Sequence, residues 1–132
     1  MIGLDTNVLV RILTADDPVQ SQQARLFVES RCTPESPGFV NCVVLSELVW
    51  VLERLYRYRR SEIAGAIDGL LAGRDLVVEA HDVVHAALAA YRASNCDFVD
   101  ALIGQINRAR GCDATATFDR KAAKLEVFVA VS

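Results

Sequence analysis

Apolar and polar residues alternate along the chain in a pattern that predicts short strands followed by helices. A very short apolar run ends at Asp5 and predicts a first strand. The apolar residues after it recur at helical spacing, which predicts a helix capped by Thr6 or Asn7. A second helix is expected to start at Asp16-Asp17-Pro18, because proline is well tolerated in the first turn of a helix.

The middle of the chain continues this alternation. Phe39-Val40 predicts a second strand after a loop rich in proline. The run from Val43 to Tyr58 has a strong helical period, and a further helix is expected to open at Ser61-Glu62. Leu76-Val77-Val78 predicts a third strand.

The last third of the chain predicts two helices and two strands. Asp82 is expected to cap one helix, and Phe98 begins another that Gly111 terminates. The β-rich residues 114–118 and 127–131 predict the last two strands. Strands that alternate with helices indicate an α/β fold, a single α/β/α sandwich around a mostly parallel central sheet of four to five short strands.

Length and composition are consistent with one domain over residues 1–132. The chain is 52% hydrophobic and 23% charged, which allows a core that needs no disulfide. Its four cysteines form no CxxC pair, no apolar run approaches the roughly 18 residues of a membrane span, and the first residues do not resemble a secretory leader. We therefore expect a reduced, cytoplasmic protein with no membrane partner.

Two acids follow predicted strands, and such positions lie where parallel sheets bind ligands. Asp5 comes after the first strand and Asp119 after the penultimate one. Both point to the same sheet edge if those strands are central neighbours. Either residue alone is explained equally well as a helix cap.

Three more acids occupy unusual helical positions. Glu47 interrupts a helix that is apolar on nearly every side, and a buried carboxylate needs an arginine or a metal ion as its partner. The plainer alternative places it on a thin polar stripe. Asp97 and Asp100 are spaced to share one face at the first turn of a helix, where the helix dipole favours negative charge. Asp97 is also explained as a helix cap.

Together, these five acids would form an unfavourable cluster of like charges unless cations were present. Carboxylate oxygens are the ligands that Mg²⁺ prefers, and Mn²⁺ is the alternative ion. The chemistry that suits such a site is phosphoryl transfer to water.

Four segments, in this order, resemble the PIN-domain family and specifically the VapC ribonuclease toxins of toxin–antitoxin pairs. The segments are Leu4-Asp5-Thr6-Asn7-Val8-Leu9, Ser46-Glu47-Leu48, Asp97-Phe98-Val99-Asp100-Ala101-Leu102-Ile103 and Thr117-Phe118-Asp119. The resemblance implies a PIN-like fold and a Mg²⁺-dependent endoribonuclease. It also implies a homodimer inhibited by a VapB-type antitoxin.

Carried over to this sequence, the resemblance makes Asp5, Glu47 and Asp100 the core acids and Asp119 the more variable fourth. It implies catalytic roles for these four residues, and Asp97 joins them as a candidate metal ligand. Three residues are implied to support the acids: Thr6 and Asn7 next to the first one, and Thr117 before the last.

A basic stretch with aromatic rings lies at the end of the third predicted helix and is a candidate contact for RNA or antitoxin. Its arginines are Arg54, Arg57, Arg59 and Arg60, interleaved with Tyr56 and Tyr58. The alternative is a solvated helix end, where cations favour the dipole.

The same residues are compatible with other functions to different degrees. A PIN fold kept only as a binding module remains an alternative. A receiver-like Mg²⁺ phosphoacceptor is weaker, because Asp5 has no acidic neighbour. His81-Asp82-Val83-Val84-His85 superficially resembles a zinc motif but lacks its glutamate.

The net charge of −3 at first argues against nucleic acid as a partner. Setting aside the five acids assigned to one metal site leaves the rest of the chain at +2. The acidic total is therefore compatible with RNA binding.

Overall fold

The computed structural model describes residues 1–131 and shows a mixed α/β chain. Contacts divide it into two compact units, Met1–Glu79 and the chain from Ala80 onward. Single-domain organisation over residues 1–132 stays a prediction. The longest helix has 14 residues, and no helix among residues 1–131 could span a membrane.

Five short strands pair in parallel, as the sequence predicts. They are β1 (Ile2–Gly3), β2 (Gly38–Val40), β3 (Leu76–Val78), β4 (Thr115–Thr117) and β5 (Phe128–Ala130). In the first unit, β2 pairs on either side with β1 and β3; in the second unit, β4 pairs with β5.

The grouping of the strands differs from the prediction of one sheet with four to five strands. Hydrogen bonds among the described residues form one three-stranded and one two-stranded ladder, and β1 and β4 are not paired neighbours there. The brevity of β1 accounts for part of this result. The N–H groups of Ile2 and Leu4 donate to Pro37 and Phe39 on the β2 side. Because successive residues of a strand point their polar groups in opposite directions, only Gly3 is left to face another strand.

Six helices and one 3₁₀ turn complete the described chain. They are α1 (Thr6–Leu13), α2 (Pro18–Arg31), α3 (Cys42–Arg54), α4 (Arg60–Ala72), α5 (His81–Ala93), α6 (Phe98–Ala109) and the 3₁₀ turn Ala122–Lys124. The predicted α2 start is confirmed, with Asp17 accepting a hydrogen bond from the N–H of Gln20. The 3₁₀ turn was not predicted.

Three predicted helix ends were wrong. The N-cap of α1 is Asp5, not Thr6 or Asn7. The residue before α5 is Ala80, in left-handed conformation, so Asp82 lies inside the first turn and does not cap it. Helix α3 ends at Arg54 and does not reach Tyr58, because Arg57 turns the chain with a φ of 55°.

Each unit has its own apolar core. In the first unit α1, α3 and α4 contribute Leu9, Val10, Leu45, Leu48, Val49, Leu52, Ile63 and Ile67. In the second, α5 and α6 contribute Val84, Ala87, Leu88, Tyr91, Phe98, Ala101 and Leu102. The rings of Tyr91 and Phe98 meet edge to face, with their centroids 5.8 Å apart. These cores fix the helices that carry the predicted acids.

Helix α6 approaches β5 closely at Gly104. A Cβ at this position would lie 2.6 Å from side-chain atoms of both Val127 and Phe128. Any larger residue would require the side chains of Val127 and Phe128, or the elements that carry them, to shift. The contact therefore sets the distance between β5 and the helix that carries Asp100.

Candidate active site

One buried threonine binds both predicted acids of the first unit. The backbone N–H of Thr6 donates to Oδ1 of Asp5 over 2.8 Å, and its hydroxyl donates to Oε1 of Glu47 over 3.4 Å. Thr6 is only 6% exposed, so this side chain is held by the core while the two carboxylates face outward. The structure thus brings Asp5 and Glu47 together at the start of α1.

The contacts of Thr6 and Asn7, two of the predicted supporting residues, differ in detail from the prediction. Thr6 contacts both acids, and its hydroxyl reaches Glu47 rather than Asp5. The bond to Glu47 was not foreseen, because no spacing rule relates residues 41 positions apart. The side chain of Asn7 makes no hydrogen bond within the described part of the chain, and its role stays a prediction.

Glu47 is exposed, which corrects the expectation of a buried carboxylate. Helix α3 buries one stripe and presents the opposite one, where Val43 is 70% and Trp50 is 53% exposed. Glu47 and Arg54 lie on the same outward stripe. Apolar residues at Val43 and Trp50 made the helix look buried on all sides, although only one face packs. Exposure removes the requirement for an arginine partner and leaves the carboxylate accessible to a ligand.

In the second unit, Asp97 and Asp100 occupy the start of α6 as predicted. Oδ1 of Asp97 accepts from the N–H of Val99 over 2.9 Å, so Asp97 is the N-cap. Asp100 follows in the first turn and is half-buried. Burial raises the pKa of Asp100, and the negative charges of Asp97 and then Asp119 raise it further. These three carboxylates are therefore electrostatically coupled.

Asp119 is fixed by the turn that follows β4. Its Oδ1 accepts from the N–H of Ala122 over 2.8 Å, and its own N–H donates to the hydroxyl of Thr117 over 3.0 Å. The supporting position predicted for Thr117 therefore corresponds to a direct hydrogen bond to the backbone of the acid.

The donor set has the chemistry of a divalent-cation site, although no complete ligand sphere is formed. Asp5, Asp97 and Asp119 each use Oδ1 in a bond to the backbone, and the described residues show no hydrogen bond to Oδ2 of any of them. The like-charge coupling of Asp100 is of the kind that a cation relieves. Across residues 1–131, no group of three or more His, Cys, Asp or Glu is arranged to hold a metal ion.

The five acids are distributed over both units, with Asp5 and Glu47 in the first and the others in the second. Neither unit on its own supplies the predicted set. Assembly of the five acids around metal therefore stays a prediction.

The basic stretch after α3 consists of exposed arginines and anchored tyrosines. The four arginines, Arg54, Arg57, Arg59 and Arg60, are exposed. Arg59 also forms an ion pair with Glu62, with its Nε 3.2 Å from Oε1. Contact of these arginines with RNA or antitoxin stays a prediction.

The tyrosines of this stretch hold the chain against the end of α1. The hydroxyl of Tyr56 donates to Oδ2 of Asp16 over 2.7 Å, and that of Tyr58 donates to the carbonyl of Leu13 over 3.2 Å. The bond from Tyr56 lowers the pKa of Asp16, with smaller contributions from Thr14 and Arg11. Their hydroxyls thus have structural partners, which explains the ordered turn after α3.

Comparison with known proteins gives a family and no named relative. The family model described as PIN domain matches residues 2–127. No curated protein matches the chain. The match includes all five predicted acids and spans more than half of the sequence.

Proposed function

Because the chain belongs to the PIN domain family, whose members are typically nucleases that use divalent metal ions, we propose that it is a metal-dependent endoribonuclease. We propose further that it is the VapC-type toxin of a type II toxin–antitoxin system. Its substrate would be RNA, its inhibitor a VapB-type antitoxin, and its setting the cytoplasm. A homodimer is the proposed assembly.

The observation that carries this proposal is the electrostatic coupling at the start of α6. Burial raises the pKa of Asp100, and the charges of Asp97 and then Asp119 raise it further, so this arrangement disfavours the ionised form of Asp100. A structural role does not require such a conflict. Divalent cations resolve it, and carboxylate oxygens are ligands that suit Mg²⁺ or Mn²⁺.

Each acid is assigned a role that its position supports. We propose that Asp5, Glu47 and Asp100 bind Mg²⁺ and that Asp119 completes a second site or orients the attacking water. Asp97 is proposed as an additional ligand. Bound divalent cations supply the Lewis acidity that activates water and stabilises charge on the leaving oxygen. Hydrolysis by this route leaves a 5′ phosphate on the new end.

Three backbone contacts hold Asp5, Asp97 and Asp119 in position, one in the first unit and two in the second. The N–H groups of Thr6, Val99 and Ala122 each donate to one oxygen of an acid. These bonds limit rotation of the carboxylates and leave the other oxygen directed away from the cap. Precise orientation before substrate binds reduces the reorganisation needed during reaction.

The test of catalysis is cleavage of purified RNA in the presence of Mg²⁺, with EDTA as the metal-free control. We expect Asp100→Asn to abolish cleavage while the fold is retained, because asparagine has nearly the same shape. Asp113→Asn is the matched control, since Asp113 is an exposed acid of the same unit outside the predicted set. Full cleavage by Asp100→Asn would refute the site.

The test of the toxin role is growth of cells that express the chain. We expect growth arrest with the wild type and normal growth with Glu47→Gln. Arrest by both proteins would favour the alternative of a catalytically silent binding module, because binding alone would then suffice. Autophosphorylation by a small phosphodonor would favour the receiver-like alternative.

A further inference from the structure

An aromatic ring is exposed to solvent immediately before Asp119, one of the acids of the second unit. Phe118 is 82% exposed, more than any other large apolar residue described. It lies between Thr117 and Asp119, the two residues joined by the hydroxyl bond at the end of β4. A ring of this size is normally buried, since burial of a phenylalanine contributes about 2–3 kcal/mol.

The exposed position of Phe118 is held by hydrogen bonds on both sides. On one side, the N–H of Val131 donates to the carbonyl of Thr117 over 2.9 Å. On the other, Ala122 and Ala123 donate to the side chain and the carbonyl of Asp119, over 2.8 and 3.0 Å. The turn is therefore anchored at each end, and the ring projects from an ordered backbone.

The core of the second unit does not use this ring. Phe98 packs against Tyr91, and Phe128 packs against Gly104. Within residues 1–131, Phe118 takes part in no aromatic pair and no cation–π contact. Packing of this unit thus gives no reason for a phenylalanine at this position.

The charges around Phe118 indicate which ligand would cover it. Asp119, on one side, is coupled to Asp100 within the candidate metal site. Arg120 and Lys121 follow immediately and are exposed. An aromatic face suits an unpaired nucleobase, and two cations suit its phosphates. The adjacent carboxylates of the candidate metal site suit the scissile bond. A purely apolar protein partner would not require the cations.

We propose that Phe118 is a base-stacking residue that holds an unpaired nucleobase of single-stranded RNA beside the phosphate to be cleaved. This inference rests on the proposed ribonuclease function and adds a substrate-positioning residue to it. Stacking needs only the π face of a base, so Phe118 would favour unpaired over duplex RNA with little preference for sequence.

The direct test places a fluorescent reporter at this position. In a Trp50→Phe background, Phe118→Trp leaves one tryptophan in the chain, and its emission is recorded as short single-stranded RNA is added. Ca²⁺ replaces Mg²⁺ to suppress cleavage. We expect quenching by single-stranded RNA and much weaker quenching by duplex RNA.

Binding and cleavage by point variants complete the test. Phe118→Ala should weaken binding of single-stranded RNA on the order of 10-fold, whereas Phe118→Tyr should retain it. Phe27→Ala is the matched control, because Phe27 is a partly exposed ring on α2, which carries none of the predicted acids. It should bind as the wild type does.

Three results would overturn the proposal in distinguishable ways. Normal cleavage by the wild type together with unchanged binding by Phe118→Ala would refute stacking alone. A wild type that neither binds nor cleaves RNA would refute the ribonuclease function as well. A change from dimer to monomer in Phe118→Ala, measured by light scattering, with unchanged RNA affinity would assign the ring to a protein contact.

Discussion

Substitution of Gly104 by alanine tests whether the close approach of α6 to β5 is a structural requirement. The added Cβ would lie 2.6 Å from Cε2 of Phe128 and 2.6 Å from Cγ2 of Val127, about 0.8 Å inside the 3.4 Å limit of ordinary contact. Because the neighbours come from two adjacent residues of one segment, a single rotamer change cannot relieve both contacts. Both side chains, or the helix or the strand itself, must therefore move.

Two opposing effects set the change in the free energy of unfolding that Gly104→Ala causes. Overpacking of this kind costs about 1–3 kcal/mol. Alanine in place of glycine inside a helix gains about 1 kcal/mol. We expect the clash to dominate and Gly104→Ala to lower the free energy of unfolding by up to about 2 kcal/mol, which corresponds to a Tm lower by several degrees.

Gly65→Ala provides the matched control, because it makes the same chemical change within a helix but in open space. No atom lies within 4 Å of a Cβ built at Gly65 in α4. This variant should be more stable than wild type by about 0.5–1 kcal/mol. Both are compared by urea denaturation in EDTA, followed by circular dichroism. Equal or greater stability of Gly104→Ala relative to wild type would refute the packing explanation.

The same substitution should also affect cleavage, since Asp100 lies one turn before Gly104 on the same face of α6. Movement of the helix away from β5 would change the position of Asp100 relative to Asp119, which follows the strand paired with β5. A loss of RNA cleavage in folded Gly104→Ala, at a temperature below its Tm, is the expected result.

Two further predictions follow from the perturbed titrations. In metal-free protein, Asp100→Asn should raise the free energy of unfolding at neutral pH, because the raised pKa of Asp100 means that its ionised form destabilises the fold. This gain in stability should disappear below pH 3.8, the ordinary pKa, where the carboxyl is protonated in both the folded and the unfolded state. A gain of the same size at all pH values would contradict this prediction. Burial, and then the charge of Glu79, raise the pKa of Cys42 to about 11. Iodoacetamide at mildly alkaline pH should therefore label the exposed Cys112 well before Cys42, as mass spectrometry of the peptides would show. Glu79→Gln should accelerate labelling of Cys42 specifically.

The sequence predicted the elements of the fold better than their boundaries. Periodicity located every helix and strand of the described residues except the 3₁₀ turn at 122–124. The ends depended on interactions that no local pattern contains. Helix α3 stops where Tyr56 and Tyr58 bond to residues 40 and 45 positions earlier in the chain. Such contacts are visible only in three dimensions.

For the candidate site, the assignment of the residues stays a prediction, and the expected environment of one of them was wrong. Glu47 was expected to be buried because apolar Val43 and Trp50 share its face, yet the helix exposes all three. Hydrophobicity alone does not distinguish a core position from an exposed apolar surface with another use. The bond from Thr6 to Glu47 was equally inaccessible to pattern analysis, since it joins two helices across a long sequence separation.

The choice between helix cap and metal ligand, which the sequence left open for Asp5 and Asp97, is not an exclusive one. Each of these residues caps a helix through Oδ1, and Asp119 makes the equivalent bond to the N–H of Ala122. A carboxylate has two oxygens, so one cap bond leaves Oδ2 available and fixes its direction. Capping is thus compatible with the proposed metal binding, and asparagine, which preserves the cap but removes the charge, separates the two roles.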